Sequence, residues 1–112
     1  MSAAALTPPG RMPEKAVQAA VVRLYRVFGC VVYGLSQPRA TMQSEGIPDL
    51  LIFAPRRGVA WWHECKTVGG HLSANQAAFG ELCHLCHVGH VVGGLEAAKA
   101  QLAAVGLVAR IA

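Results

Sequence analysis

Asp49 and Glu64 stand fifteen residues apart, a Pro-Arg-Arg-Gly stretch at residues 55–58 lies midway between them, and Lys66 follows two residues after Glu64. Two carboxylates and an amine are the groups a metal-dependent phosphodiesterase needs. Hard carboxylate oxygens suit Mg²⁺, with Mn²⁺ as a substitute. A nearby ammonium can orient or help deprotonate an attacking water and offset charge on phosphate oxygens. Asp49 is the only aspartate in the chain.

The elements that must bring these groups together follow from the flanking residues. Residues 50–53 and 59–65 are rich in apolar, aromatic and β-branched side chains, and Ala54-Pro55-Arg56-Arg57-Gly58 between them reads as a turn, which predicts an antiparallel hairpin. Folding it between Arg56 and Arg57 sets Asp49 opposite Glu64. Opposed residues share a face with Cβ atoms about 4.5–5.5 Å apart. Alternation turns Glu64 and Lys66 the same way and Cys65 the other, so Asp49, Glu64 and Lys66 are expected to converge. A one-residue slip would turn one acid to the opposite face. Two facing carboxylates repel unless a cation lies between them or one keeps its proton, so the arrangement destabilises the fold if it does nothing.

Gly46-Ile47-Pro48-Asp49-Leu50-Leu51, then His63-Glu64-Cys65-Lys66, then Leu72-Ser73 and Gln76, resemble the PD-(D/E)xK nuclease superfamily and most closely its VRR-NUC (virus-type replication-repair nuclease) branch. The resemblance runs from about Glu14 to Val92, and its specificity lies in the ordered set, since each motif alone is weak. It implies an α/β fold with a restriction-endonuclease-like core, a mixed β-sheet flanked by helices on both sides, in the order α-β-β-β-α-β plus a C-terminal helix. It implies a structure-selective DNA endonuclease that cuts branched DNA such as Holliday junctions, in DNA repair, as a homodimer. The metal would be held by Asp49, Glu64, Glu14 and the backbone carbonyl of Cys65, as one ion or two about 3.5–4 Å apart. Lys66 and Gln76 complete the catalytic set that the resemblance implies.

Each of these residues also has a plainer reading. Glu14 lies in the first turn after Pro13, where the helix dipole favours an acid. Asp49 follows Ile47-Pro48, a common loop-to-strand junction. Glu64 and Lys66 could be a solvated strand face, although Trp61, Trp62, His63 and Cys65 around them predict a central strand buried on both sides. Ser73-x-x-Gln76 is a capping box, which would fold the glutamine back on the backbone. Arg39, in a polar connection at residues 36–45, and Arg56 and Arg57 at the hairpin tip are candidate phosphate contacts, with Arg11, Lys15, Arg23 and Arg26 in the amino-terminal half. Cys83, Cys86, His87 and His90 offer a different chemistry, a small zinc site, against which stands the reading of packing cysteines and solvated histidines. A third reading is a basic DNA-binding module with a nuclease-like fold and no catalysis.

The chain has 112 residues, of which 54% are hydrophobic and 14% charged, with a formal net charge of +4. This fits one compact domain at residues 13–112 with a single core, and argues against extended disorder. Residues 1–12, small and Pro-rich, read as a flexible arm. There is neither an eighteen-residue apolar run nor a signal-peptide pattern, so a soluble, cytoplasmic protein with no membrane partner is expected. The excess positive charge suits an acidic partner such as DNA. Pro13 should open a helix that Gly29 ends. Residues 30–35 predict a first strand, Ser73 caps a helix running to about His87 with Gly89 as its stop, Val91 and Val92 a strand, residues 95–105 a last helix and residues 107–111 an edge strand.

Overall fold

The computed structural model describes residues 13–35 and 45–108. The expected arm at residues 1–12, Arg39, and most of the expected last strand lie outside the described residues. In chain order the elements are α1 (Glu14–Val27), β1 (Val31–Gly34), β2 (Leu50–Ala54), β3 (Val59–Cys65), α2 (Ala74–Leu85), β4 (Gly89–Gly93) and α3 (Leu95–Ala104). This is the α/β order expected, α-β-β-β-α-β followed by a helix. No helix among the described residues is long and apolar enough to cross a membrane.

The four strands form one mixed sheet in the order β1-β2-β3-β4. β1 to β3 run antiparallel, and β4 lies parallel to β3, reached through the α2 crossover. The β2–β3 register is the one the hairpin argument requires: Leu50 faces His63, Leu51 faces Trp62 and Ala54 faces Val59. Four residues form the turn, closed by Arg57 and Gly58 N–H groups donating to the Ala54 carbonyl at 3.0 and 2.9 Å, with Gly58 at φ +67°. Alternation therefore sorts β2 cleanly. Leu50, Ile52 and Ala54 enter the core, while Leu51 and Phe53 face the other side.

α1 and α3 cover the first face. Val17, Val21 and Tyr25 of α1 and Ala98 and Leu102 of α3 are buried against Leu50, Ile52, Trp61 and Cys65. Each large side chain so removed from water contributes about 1.5–3 kcal/mol. α2 covers part of the opposite face, where Trp62 meets Phe79 edge-on at 5.3 Å between ring centroids. Trp61 is only 1% exposed, so no dimer surface can draw on it. The exposed apolar side chains on the α2-side face of the sheet include Val31, Tyr33, Phe53 and Val92.

All three helices end in a Schellman motif. After α1 and α3 the left-handed position is taken by glycine, Gly29 at φ +84° and Gly106 at φ +82°. After α2 it is His87, at φ +59°, so the helix stops at Leu85 and not at Gly89. Gly89 serves another need: a Cβ there would come within 2.6 Å of the Trp61 Cβ across the parallel pair. Leu107 and Val108 form a bend that packs on the core, not the start of a strand.

One buried chain of hydrogen bonds fastens α1 to β3. The Trp61 indole N–H donates to the Tyr25 hydroxyl at 3.2 Å, and Tyr25 Oη lies 2.6 Å from His63 Nδ1. His63 Nε2 is 2.9 Å from the Gly93 carbonyl, which can only accept, so Nε2 carries the proton and Tyr25 donates to Nδ1. Burial lowers the His63 pKa and keeps the ring neutral, while burial raises that of the Tyr25 phenol. Tyr25→Phe leaves the Trp61 N–H and His63 Nδ1 buried without partners, at a cost of about 1–3 kcal/mol. Thermal melts should show Tm falling by about 4 °C or more; an unchanged Tm would mean that the chain contributes nothing to holding α1.

Candidate active site

Asp49 immediately precedes β2, and Glu64 is the penultimate residue of β3. Extending the observed register by one step puts the two carboxylates side by side, on the face that also carries Leu51 and Trp62. Asp49 Oδ2 accepts from the backbone N–H of Cys65 at 3.0 Å, which locks the aspartate across the end of β3. Glu64 is 2% exposed and shares a hydrogen bond with Asp49. Its other oxygen, Oε1, is the one buried side-chain polar atom among the described residues that lacks a hydrogen-bond partner.

Burial is the largest cause that pushes the Glu64 pKa up to about 8, followed by the hydrogen bond to Asp49 and the Asp49 charge; Lys66 acts the other way, and Glu14 adds to the rise. Without a cation Glu64 therefore keeps its proton near neutral pH and donates it to Asp49. This is one of the two ways in which facing acids can coexist. A divalent ion is the other. Two acids held face to face out of water, one with an oxygen that has no partner, are a donor set that a hard cation fits once the shared proton is released.

The segment that delivers Asp49 is latched to α2. Asn75 Nδ2 donates to Glu45 Oε2 at 2.6 Å, and Gly46, at φ +89°, passes so close that a Cβ would lie 2.4 Å from the Asn75 carbonyl oxygen. Only glycine satisfies both the conformation and the approach. Pro48 then enters the interior and Asp49 emerges at the strand end.

A cavity of about 650 Å³ opens beside the pair, with Asp49, Glu14 and Gln18 on its walls and the length of α1 along one side. Lys66 lines a separate cavity of about 340 Å³ between α1 and the start of α3, with Val17, Ala20 and Gly94.

No family model matches the sequence, and no curated protein does. A solved structure described as a VRR_NUC domain aligns with a TM-score of 0.63 and 27% sequence identity, over 80% of this chain and 91% of that one. In sequence and fold this chain is similar to a VRR_NUC domain. The mixed sheet between helices is consistent with the restriction-endonuclease-like fold of such a domain.

Within this VRR-NUC-like fold the expected residues divide. Asp49 and Glu64 are brought together. Glu14 and Lys66 lie close enough for their charges to act on Glu64, yet no three His, Cys, Asp or Glu side chains among the described residues converge into a ready-made metal group. The Cys65 thiol is buried in the core, its pKa pushed up to about 12 mainly by burial, so only its carbonyl could serve as a ligand. Gln76 forms the capping box: its Oε1 accepts from Ser73 N at 2.8 Å, and Ser73 Oγ accepts from Gln76 N at 3.2 Å. Its oxygen is thus committed to the helix terminus and not to the acids.

Arg56 and Arg57 lie in the turn at the far end of the hairpin, about 17 Å of strand from Asp49. Arg57 Nε donates to the Val105 carbonyl at 2.8 Å, which makes it a cap for α3 and leaves the terminal amines of this exposed side chain as further donors. The zinc reading fails on placement. Cys83 is buried, Cys86 is exposed at the end of α2, His87 occupies the left-handed turn and His90 packs in β4 beneath Gly80 and beside Phe79. The Glu45–Asn75 latch and the Tyr25–His63 link went unread in the sequence. Gly46 ahead of Ile47-Pro48-Asp49 was the available signal for the first, and His63 on the buried side of β3 for the second.

Melting in chelator and in Mn²⁺ tests the pair without any substrate. At a hundred times its Kd an ion adds about 2.7 kcal/mol, which should raise Tm by about 10 °C. Glu64→Gln keeps the shape and the donor to Asp49; its melt in chelator should match or exceed that of the parent, while the Mn²⁺-dependent rise disappears. A full rise in the variant would separate metal binding from Glu64.

Proposed function

We propose that this VRR-NUC-like domain is a Mg²⁺-dependent endonuclease that hydrolyses phosphodiester bonds in branched DNA, working as a homodimer on substrates such as Holliday junctions. The observation that carries the reading is the buried Asp49–Glu64 pair with its orphaned Glu64 Oε1. A protein gains nothing in stability by facing two acids in a desolvated site, and a divalent ion held by these carboxylates would give the arrangement a use.

Asp49, Glu64 and the Cys65 carbonyl would hold the metal, with Glu14 reaching it from α1. When bound, such an ion supplies Lewis acidity toward a phosphate oxygen and lowers the pKa of water. The chain's own residues do the rest. The Cys65 N–H holds Asp49 Oδ2 and so fixes the aspartate beside Glu64. To hold a cation, Glu64 would release to solvent the proton it shares with Asp49. Lys66, whose charge already acts on Glu64, orients the attacking water and takes or relays its proton. Burial of Glu64 at the strand end keeps bulk water from competing for its oxygens.

Paired incision across a branch needs two centres, and each chain supplies one, which is the reason for a dimer. The exposed Val31, Tyr33 and Phe53 share the sheet face of the two acids and offer apolar area on that side.

A cleavage panel of flap, fork, four-way junction and plain duplex, each with Mg²⁺, Mn²⁺ or chelator, tests the proposal. Branched substrates should be nicked with either ion and not in chelator. Glu64→Ala and Lys66→Ala should each lower the rate by a hundredfold or more while leaving DNA binding largely intact. Binding without cleavage under every condition would mean a DNA-binding module; parental rates in both variants would mean that the chemistry lies elsewhere.

A further inference from the structure

The cavity beside Asp49 extends well past the two acids. Lys15, Ala19, Val22 and Arg26 fall at i, i+4, i+7 and i+11, one stripe of α1, and Arg23 flanks it. Cations therefore stand at both ends of a floor made of two small or apolar side chains. Lys15 to Arg26 spans roughly 16 Å at 1.5 Å per residue. Lys15, Arg23 and Arg26 are all exposed, so their charges face the groove or solvent and are not spent in the core.

We infer that this α1 groove binds an unpaired DNA strand, holding its phosphates on Lys15, Arg23 and Arg26 as the strand leaves the acid pair. The inference rests on the nuclease reading for where the strand begins. Two features favour an unpaired strand over a duplex. The groove is a concave, open trough of about 650 Å³, whereas a duplex is a broad convex cylinder that would rest on its rims. Its floor, Ala19 and Val22, accepts sugar and base surface, which a duplex keeps inside its stack. Such an arrangement joins a basic track with apolar contact, the combination by which single strands are held without reading sequence.

The two readings are separable, because the groove cations and the acids are different residues. Anisotropy titrations would use a fluorescein-labelled oligo-dT and a blunt hairpin duplex of equal phosphate number, in EDTA so that nothing is cut, across about 50–200 mM salt. Oligo-dT should bind more tightly than the duplex. Arg23→Ala combined with Arg26→Ala should weaken oligo-dT binding tenfold or more at the lowest salt. The slope of log K against log salt should fall by about 1.4, from about 0.7 per lost phosphate contact on a single strand. Ala19→Glu, which adds a carboxylate to the exposed floor, should give a comparable loss, and melts of both variants establish that they are folded.

Unchanged oligo-dT affinity in the folded double variant, or a duplex bound as tightly as oligo-dT, would overturn the groove assignment while the metal and cleavage results stand. A chain that binds oligo-dT through Arg23 and Arg26 yet takes no metal and cuts no DNA would support the groove and remove the nuclease reading.

Discussion

Two carboxylates pressed together out of water set the terms for the rest of this structure. Desolvation and the Asp49 charge hold the Glu64 carboxyl at a pKa of about 8, and one of its oxygens has no partner. The fold tolerates this because the position is fixed from several sides. The β2–β3 register puts the acids level, the Cys65 N–H holds Asp49, and Gly46 and Asn75 anchor the segment that arrives from before β2. Removing any one of these supports would let the acids separate toward water, which is where their charges alone would drive them.

The other face of β3 is built to resist that drift. Trp61, His63 and Cys65 point into the core, and the Trp61–Tyr25–His63–Gly93 chain satisfies each polar group it contains. One strand thus carries a saturated polar network on one side and an unsaturated acid on the other. The contrast separates structure from chemistry: a network with every partner present rigidifies, while an unpaired buried oxygen points to a missing ligand. α1 connects the two roles, with Tyr25 in the network and Glu14 at the mouth of the acid pocket.

The hairpin was legible in the sequence because apolar alternation and a Pro-containing turn act over short range, and they sufficed to set Asp49 against Glu64. The helix order and the mixed sheet came from the family resemblance, which structural similarity to a VRR_NUC domain bears out. What could not be read was how side chains with two options would choose. Gln76 serves the capping box, Arg57 caps α3, and His87 accepts a left-handed conformation more often left to glycine. Each choice depends on a backbone carbonyl, amide or turn whose position only the assembled fold supplies. Trp61 and Trp62 are adjacent in sequence yet lie on opposite faces, so which of them reached the surface depended on strand phase and not on composition.

The charge distribution shows the same dependence on assembly. Arg56 and Arg57 look like the exposed basic tip of a hairpin, but the tip is at the opposite end of the strands from the acids. Lys15, Arg23 and Arg26, scattered in the sequence, line one cavity with Asp49 because helical periodicity gathers them. The account stands or falls on whether the acid pair holds a cation. Crystals grown with Mn²⁺ and measured at its absorption edge should show an anomalous peak about 2.0–2.2 Å from carboxylate oxygens of both Asp49 and Glu64; a map with no peak between them, at saturating Mn²⁺, would contradict it.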